Sequence, residues 1–246
     1  MGEKRIVVLF DPHIPYQIRL DPVFEFIKDF KPHQVICAGD VHDWTAVSSW
    51  LADQSRVLEG GTIESNYEEL KGFLFAPLYK AIPKTCDVVL QRGNHEARLE
   101  KAIEIHPNGR GFWELERNLI TYRGLKILKQ NDVFSIGPDL VVVHGDYATG
   151  QHHAKKMVEA YHTSVLYGHR HTFQSHTLVS PVTSSKFYTG QAIGCLCTLN
   201  PEFLKGKPNA WVNGFAYVYL QADGSFHYVP VVIVNNRFYA NGRQYR

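Results

Sequence analysis

Five short runs of Val, Ile and Leu, each closed by a small set of polar residues, constrain this chain more than anything else in its sequence. They cover residues 5–10, 34–38, 87–91, 139–143 and 164–167. Compact apolar runs rich in β-branched residues read as strands buried on both faces. Residues 21–30 have helical spacing, with Val23, Phe24, Ile27 and Phe30 on one face and Pro22 in the first turn. Residues 62–82 read as one long helix or two, with a break near Pro77, and 96–105 and 152–161 also read as helices. Strands alternating with helices predict an α/β sheet with a parallel core. From Thr172 onward the texture changes to short Val/Thr/Tyr/Phe runs without a clear helix: 175–179, 186–189, 214–220, 226–234 and 237–240. Ala222-Asp223-Gly224 marks a hairpin.

Composition narrows the class. The chain has 246 residues, of which 44% are hydrophobic and 20% charged. That supports a sizeable core and excludes disordered, collagenous and coiled-coil chains. With no linker or repeat in sight, one domain over residues 1–246 is expected. The net charge of +2 is too small to announce a nucleic-acid partner. Cys37, Cys86, Cys195 and Cys197 form no C-x-x-C pair and read as small buried hydrophobes of a reducing compartment. The N-terminus lacks a signal-peptide run and no window holds 18 apolar residues, so a soluble, cytoplasmic protein with no membrane partner is expected.

Thirteen histidines are the unusual count. The polar sets that close the five runs are Asp11-x-His13, Gly39-Asp40-x-x-Asp43, Gly93-Asn94-His95-Glu96, His144-Gly145 and Gly168-His169-Arg170-His171. Ligands of open α/β sheets gather outside the carboxyl ends of the strands. Oxygen and imidazole donors without thiolate suit Mn, Fe, Ni or Zn at catalytic sites. The candidate ligands are too many for one ion and fit two ions sharing a carboxylate.

The ordered series D-x-H, G-D-x-x-D, G-N-H-E, H-G, G-H-x-H resembles the calcineurin-like metallophosphoesterase superfamily, over about two-thirds of the chain. The likeness is to its stand-alone bacterial and phage type, distantly similar to the SbcD nucleases. It implies an α/β fold: a two-sheet β-sandwich flanked by helices, in four layers. It also implies that Asp11, His13 and His171 hold one metal, that Asn94, His144 and His169 hold a second, and that Asp40 bridges both. His95 would stand over the substrate and protonate the leaving oxygen, with Asp43 fixing its tautomer. Two divalent ions are implied, with manganese favoured over iron, zinc or nickel. LQRGNHE is similar to the LLRGNHE segment of the Ser/Thr protein phosphatases, which makes Arg92 a candidate phosphate contact. Asp43 is followed by Trp44-Thr45 rather than Arg-Gly, which argues against a protein phosphatase.

The substrate is less legible. Residues 97–129 carry seven Lys or Arg against four Glu, with Phe112, Trp113 and Tyr122 interleaved, and suggest a rim or cap. The tail 237–246 adds Arg237, Arg243 and Arg246 with Phe238, Tyr239 and Tyr245. Such stretches suit a nucleic-acid backbone and its bases, or equally a solvated helix face and a packed tail. Glu59, Glu64, Glu68 and Glu69 read as an exposed helix N-terminus. Three functions follow in order: a two-metal phosphodiesterase or nuclease acting on a phosphate ester, nucleic acid included; a phosphomonoesterase on a small metabolite, nucleotide or phosphoprotein; and a non-catalytic scaffold of the same fold.

Overall fold

A computed structural model describes residues 2–48, 61–182, 186–201 and 204–246. Six strands are β1 Lys4–Leu9, β2 Gln34–Ala38, β3 Asp87–Gln91, β4 Leu125–Leu128, β10 Gly214–Leu220 and β11 Phe226–Val232. They form one sheet in the order β11-β10-β1-β2-β3-β4. Its β1 to β4 run parallel, while β10 and β11 are antiparallel additions. A second sheet takes β5 Phe134–Gly137, β6 Leu140–Val143, β7 Ser164–Tyr167, β8 Phe173–Val179 and β9 Phe187–Ile193, in the order β5-β6-β7-β9-β8. A small hairpin, β12 Phe238–Ala240 with β13 Arg243–Tyr245, closes the chain.

The period-two alternation of a strand sorts its side chains into layers. Ile6, Val8 and Phe10, with Ile36, Ala38 and Val89, face the second sheet and meet Ile136, Leu140, Val142, Leu166 and Ile193. Their neighbours Val7, Leu9, Val35, Cys37, Val88 and Leu90 face the other way, against helices. Those helices are α1 Asp21–Phe30, α2 Ile63–Leu70 and α3 Ala76–Ala81. On the far side, Val141, Val143, Val165 and Tyr167 pack against Ala154 and Met157 of a helix at His153–Tyr161. Helix, sheet, sheet, helix is the four-layer arrangement expected.

The helical run 62–82 does not break at Pro77. It passes through a π-helical turn at Lys71–Phe75 between α2 and α3. Pro77 has no N–H to offer the carbonyl four residues back, and the wider turn ahead of it absorbs the loss. Thr62 and Ser65 cap the start of α2 reciprocally, each side chain accepting the other's backbone N–H at 3.0 Å. Glu59 lies outside the described residues. Three strands, β4, β5 and β13, carried no usable sequence signal, being three or four residues long without alternation. As a result, the last part of the 97–129 stretch is an edge strand of the first sheet rather than rim. All four cysteines are buried with free thiols. Among the described residues no helix is long and apolar enough to cross a membrane.

One face of the C-terminal hairpin is core: Phe238, Ala240 and Tyr245 are buried. Phe26 of α1 is fully buried, with its ring 5.1 Å from Phe30, 5.3 Å from Phe215, 5.2 Å from Tyr217, 6.2 Å from Phe238 and 5.5 Å from Tyr245. Arg243 pairs with Glu25 and Asp29 and tethers the hairpin to α1. We expect Phe26→Ala to destabilise the protein by about 3–5 kcal/mol, read from urea denaturation. A midpoint within error of the parent would show that the aromatic cluster contributes little.

Candidate metal centre

The polar ends of β1, β2, β3, β6 and β7 converge at one edge of the two sheets. Asp11, His13, Asp40, His169 and His171 all take left-handed backbone, with φ between 47° and 61°. For residues other than glycine this conformation is strained, and such strain clusters at functional sites. It is held by a dense set of hydrogen bonds. Glu96 opens a helix, α4 Glu96–Ile105, and its side chain is fully buried. Its carboxylate accepts the backbone N–H groups of Asp40 and Gly93 at 2.8 Å and of Val41 at 3.0 Å, and the Trp44 indole N–H at 3.2 Å. The Asp11-x-His13 loop rides on the Asp40 loop through His13 N–H to Asp40 O and Ile14 N–H to Val41 O. Glycine is required where the loops close in. A Cβ at Gly93 would strike Asp40 Oδ1, and one at Gly168 would strike Asp11 Oδ2.

Four overlapping donor groups result among the described residues, each with ligand atoms within 4.8 Å of one another, and Asp40 belongs to two of them: Asp11, His13 and Asp40, and Asp40, His144 and His169. The other two are His13 with His171 and Cys197, and His13 with Asp43 and His95. His171 joins the first cluster, its Nε2 3.1 Å from His13 Nε2. Asn94 joins the second, its Oδ1 3.0 Å from His144 Nε2. Asp40 Oδ2 lies 3.3 Å from His144 Nε2 and 3.8 Å from His13 Nε2. Asp11 Oδ1 is buried without a hydrogen-bond partner. An orphaned carboxylate oxygen and two imidazole nitrogens aimed at each other are what a bound cation would satisfy, so the residues fit divalent metals. Backbone contacts hold the donors: His169 N–H to Asp11 Oδ2 at 2.7 Å, His95 N–H to Asp40 Oδ1 at 2.8 Å, and His144 Nδ1 to Ala38 O at 3.1 Å.

Asp43 sits behind the first cluster. Its Oδ1 takes the His13 Nδ1 hydrogen bond at 2.6 Å and lies 2.9 Å from His95 Nδ1. The other face of His95 meets Arg98, whose Nη2 is 3.0 Å from Nε2 and whose Nη1 donates to Asp43 O at 2.8 Å. Arg92 does not line the cavity over the metal centre. Its guanidinium pairs with Glu116 at 2.6 Å and Glu100 at 3.1 Å. That cavity, about 180 Å³, is lined by Asn94, His95, His169 and His171 together with Tyr16 and Trp211, whose ring packs 4.2 Å from that of His171.

Burial and mutual charge set the protonation pattern. Burial pushes both Asp11 and Asp40 up. In Asp11 it prevails, raising the pKa to about 7. In Asp40 the imidazoles of His144 and His95 outweigh it and hold the carboxyl well below its usual range. His144 goes the opposite way from a plain buried histidine: burial lowers it, but Asp40 raises it to about 10. Burial, then the charge of His144, takes His169 down to about 4. For His95, burial pulls down while Asp40 and Asp43 prevail and raise it. The Arg98 contact needs Nε2 as an unprotonated acceptor, so that contact and an imidazolium at His95 exclude each other.

Several contributors were not legible. Glu96 stood in the G-N-H-E set without a role, because its use depends on which backbone N–H groups fold over it. His153, outside every motif, accepts or donates to Tyr167 OH at 2.6 Å and Thr172 Oγ1 at 2.9 Å, pinning both flanks of the His169–His171 loop. His42 is fully buried against Glu69, which is therefore more than an exposed helix residue. Cys197, Tyr16 and Trp211 reach the cavity from segments with no motif.

The family model for calcineurin-like phosphoesterase matches residues 4–178. Among solved structures, Vps29 from Entamoeba histolytica, crystallised in complex with zinc, is similar at 11% identity over 96% of each chain, with a TM-score of 0.47. Vps29 from Chaetomium thermophilum is similar at 12% identity, over 92% of this chain and 96% of its own, with a TM-score of 0.41. At those scores the likeness says nothing about this chain's chemistry. Comparison with curated proteins yields no significant match.

Metal binding needs Asp11 ionised and His144 neutral, and both pKa values are raised. A cation must therefore expel their protons. Its apparent affinity should strengthen about tenfold per pH unit for each proton displaced: one from His144 between about 7 and 10, and a second from Asp11 below about 7. Calorimetric Mn²⁺ titrations in buffers of different ionisation heat would read this release. An affinity flat from pH 6 to 9 would contradict it.

Proposed function

The chain belongs to the calcineurin-like phosphoesterase family, and from that we propose that it hydrolyses phosphodiesters at a centre of two divalent ions, with manganese as the favoured metal. The observation that carries this reading is the pair of donor clusters sharing Asp40. His95 Nε2 stands 3.8 Å from the Asp40 carboxylate. Two cations bound there would neutralise phosphoryl oxygens and supply an acidified water for in-line attack.

The chain's own groups do the rest. Asp11, His13, Asp40 and His171 hold the first site, and Asp40, Asn94, His144 and His169 the second. His95 stands at the edge of the cavity on the leaving-group side. Asp43 holds its Nδ1, which leaves Nε2 as the atom that exchanges a proton with the departing oxygen. Asp43 holds His13 in the same way and aims its Nε2 at the first site.

Arg92 is not free to grip a terminal phosphate dianion, being committed to Glu100 and Glu116; Arg98 is the cationic side chain beside His95. A nucleic acid is one diester of the right kind. The C-terminal tail offers it one face only: Phe238 and Tyr245 are core residues and Arg243 is paired, while Tyr239 is exposed. Of the 97–129 stretch, Arg98 and Lys101 border an open cleft next to His95.

On metal-stripped protein resupplied with Mn²⁺, we expect bis-p-nitrophenyl phosphate to be hydrolysed in clear preference to p-nitrophenyl phosphate. The reverse preference would assign a phosphomonoesterase, and turnover of neither ester with metals bound would favour a scaffold. Asp40→Ala should abolish activity and empty both sites. His95→Ala should keep its metals and lose about 10²–10⁴ in kcat. Equal metal loss in the two variants, by elemental analysis, would make His95 a ligand instead.

A further inference from the structure

His95 has a charged group beside each ring nitrogen, the Asp43 carboxylate 2.9 Å from Nδ1 and a cation at Nε2. Arg98 lies one turn along α4. Its Nη1 is anchored on Asp43 O at 2.8 Å, which leaves Nη2 at 3.0 Å from His95 Nε2. Nη2 occupies the one bonding direction of Nε2, so an oxygen that takes that place displaces Nη2 and stands beside it. Arg98 is not committed to a carboxylate among the described residues, in contrast to Arg92. It also lines a second, open cleft of about 570 Å³, with Lys101, Ile105 and Trp113. Arg98 does not itself line the cavity over the metal centre; it reaches that centre through His95 and borders the open cleft on its other side.

We propose that Arg98 is a catalytic residue of the phosphoester hydrolysis set out above, on which this inference rests: its Nη2 binds the leaving-group oxygen and holds the charge that develops there, suiting the site to esters of alkyl or sugar alcohols. Water supplies the new oxygen to phosphorus. As the phosphorus–oxygen ester bond breaks, its electron pair stays on the leaving oxygen. A proton from solvent, or from His95 once Nη2 has moved off Nε2, completes the alcohol, and the proton lost by the attacking water returns to solvent. A fixed guanidinium matters most where the leaving oxygen develops nearly full charge, and little where a nitrophenyl ring delocalises it. Arginine, unlike histidine, keeps that charge at every working pH.

The test uses two diesters sharing one retained nucleoside: thymidine 5′-(p-nitrophenyl phosphate), which releases an acidic phenol, and a thymidine dinucleoside phosphate, which releases a sugar hydroxyl. In the Mn²⁺-loaded protein, Arg98→Ala should lower kcat for the dinucleoside ester about 10²–10³-fold and change the nitrophenyl ester only a few-fold. KM and metal content should stay near the parent values, and Arg98→Lys should recover part of the loss. Equal losses on both esters would reduce Arg98 to a structural support, and no loss on either would remove it from the reaction. In the metal-free protein, ¹⁵N spectra of the His95 ring should show Nε2 as a hydrogen-bonded acceptor that shifts in Arg98→Ala. An unmoved resonance would overturn the contact itself. If the parent hydrolyses no ester at all, the phosphoesterase reading fails as a whole, whereas Arg98→Ala matching a working parent sinks only this proposal.

Discussion

A single buried carboxylate holds the site together. Glu96 collects backbone N–H groups from the loop after β2 and the loop after β3, and adds the Trp44 indole. Those N–H groups point inward because the chain turns sharply at each strand end, and buried donors left unpaired cost about 1–3 kcal/mol each. The left-handed residues add strain of order 1–3 kcal/mol apiece. The network around Glu96 makes that strain tolerable. It also fixes Asp40 where both donor clusters can use it, and the Asp11-x-His13 loop is hydrogen-bonded onto the same turn.

From that anchor the electrostatics fall into a chain of paired groups. Asp40 faces His144 and His13, and Asp43 faces His13 and His95. One carboxylate oxygen of Asp43 thus orients an imidazole on the metal side and another on the substrate side. Displacing it would disturb both at once. Burial raises the stakes throughout, since a charge in this setting is stable only beside its opposite. Asp11 is raised by burial and His144 by the carboxylate of Asp40 beside it.

Two arginines close to each other in sequence have different surroundings for a plain geometric reason. Arg92 follows the last residue of β3 and is held between Glu100 and Glu116, which α4 and the short helix Leu115–Asn118 bring over it. Arg98 sits one turn into α4, three residues after His95, and residues three apart on a helix are neighbours. Its reach to His95 follows from that spacing, although the unfolded sequence gave no sign that the space beside His95 would be open.

The layers were legible because they rest on local patterns. The runs that became β1, β2, β3, β6 and β7 are apolar on both faces, as strands covered on both sides must be, and their polar ends mark one edge of the sheets. The ordered histidines and carboxylates at those ends could be read as candidate ligands, since strand direction alone sends them to the same edge. What the sequence could not determine is which side chains meet once those ends converge. The short edge strands β4 and β5 have too few residues to show a period. The bracing by Glu96, the pinning by His153, the burial of one face of the tail and the commitment of Arg92 to two glutamates each join segments far apart in the chain. Such contacts depend on the exact distance and angle at which packed layers hold their loops. So the sequence by itself determined the layers and the candidate donors at the strand ends. Only the tertiary structure decided who pairs with whom, because hydrogen bonds and ion pairs are directional, whereas the hydrophobic burial that sorts strands and helices is not.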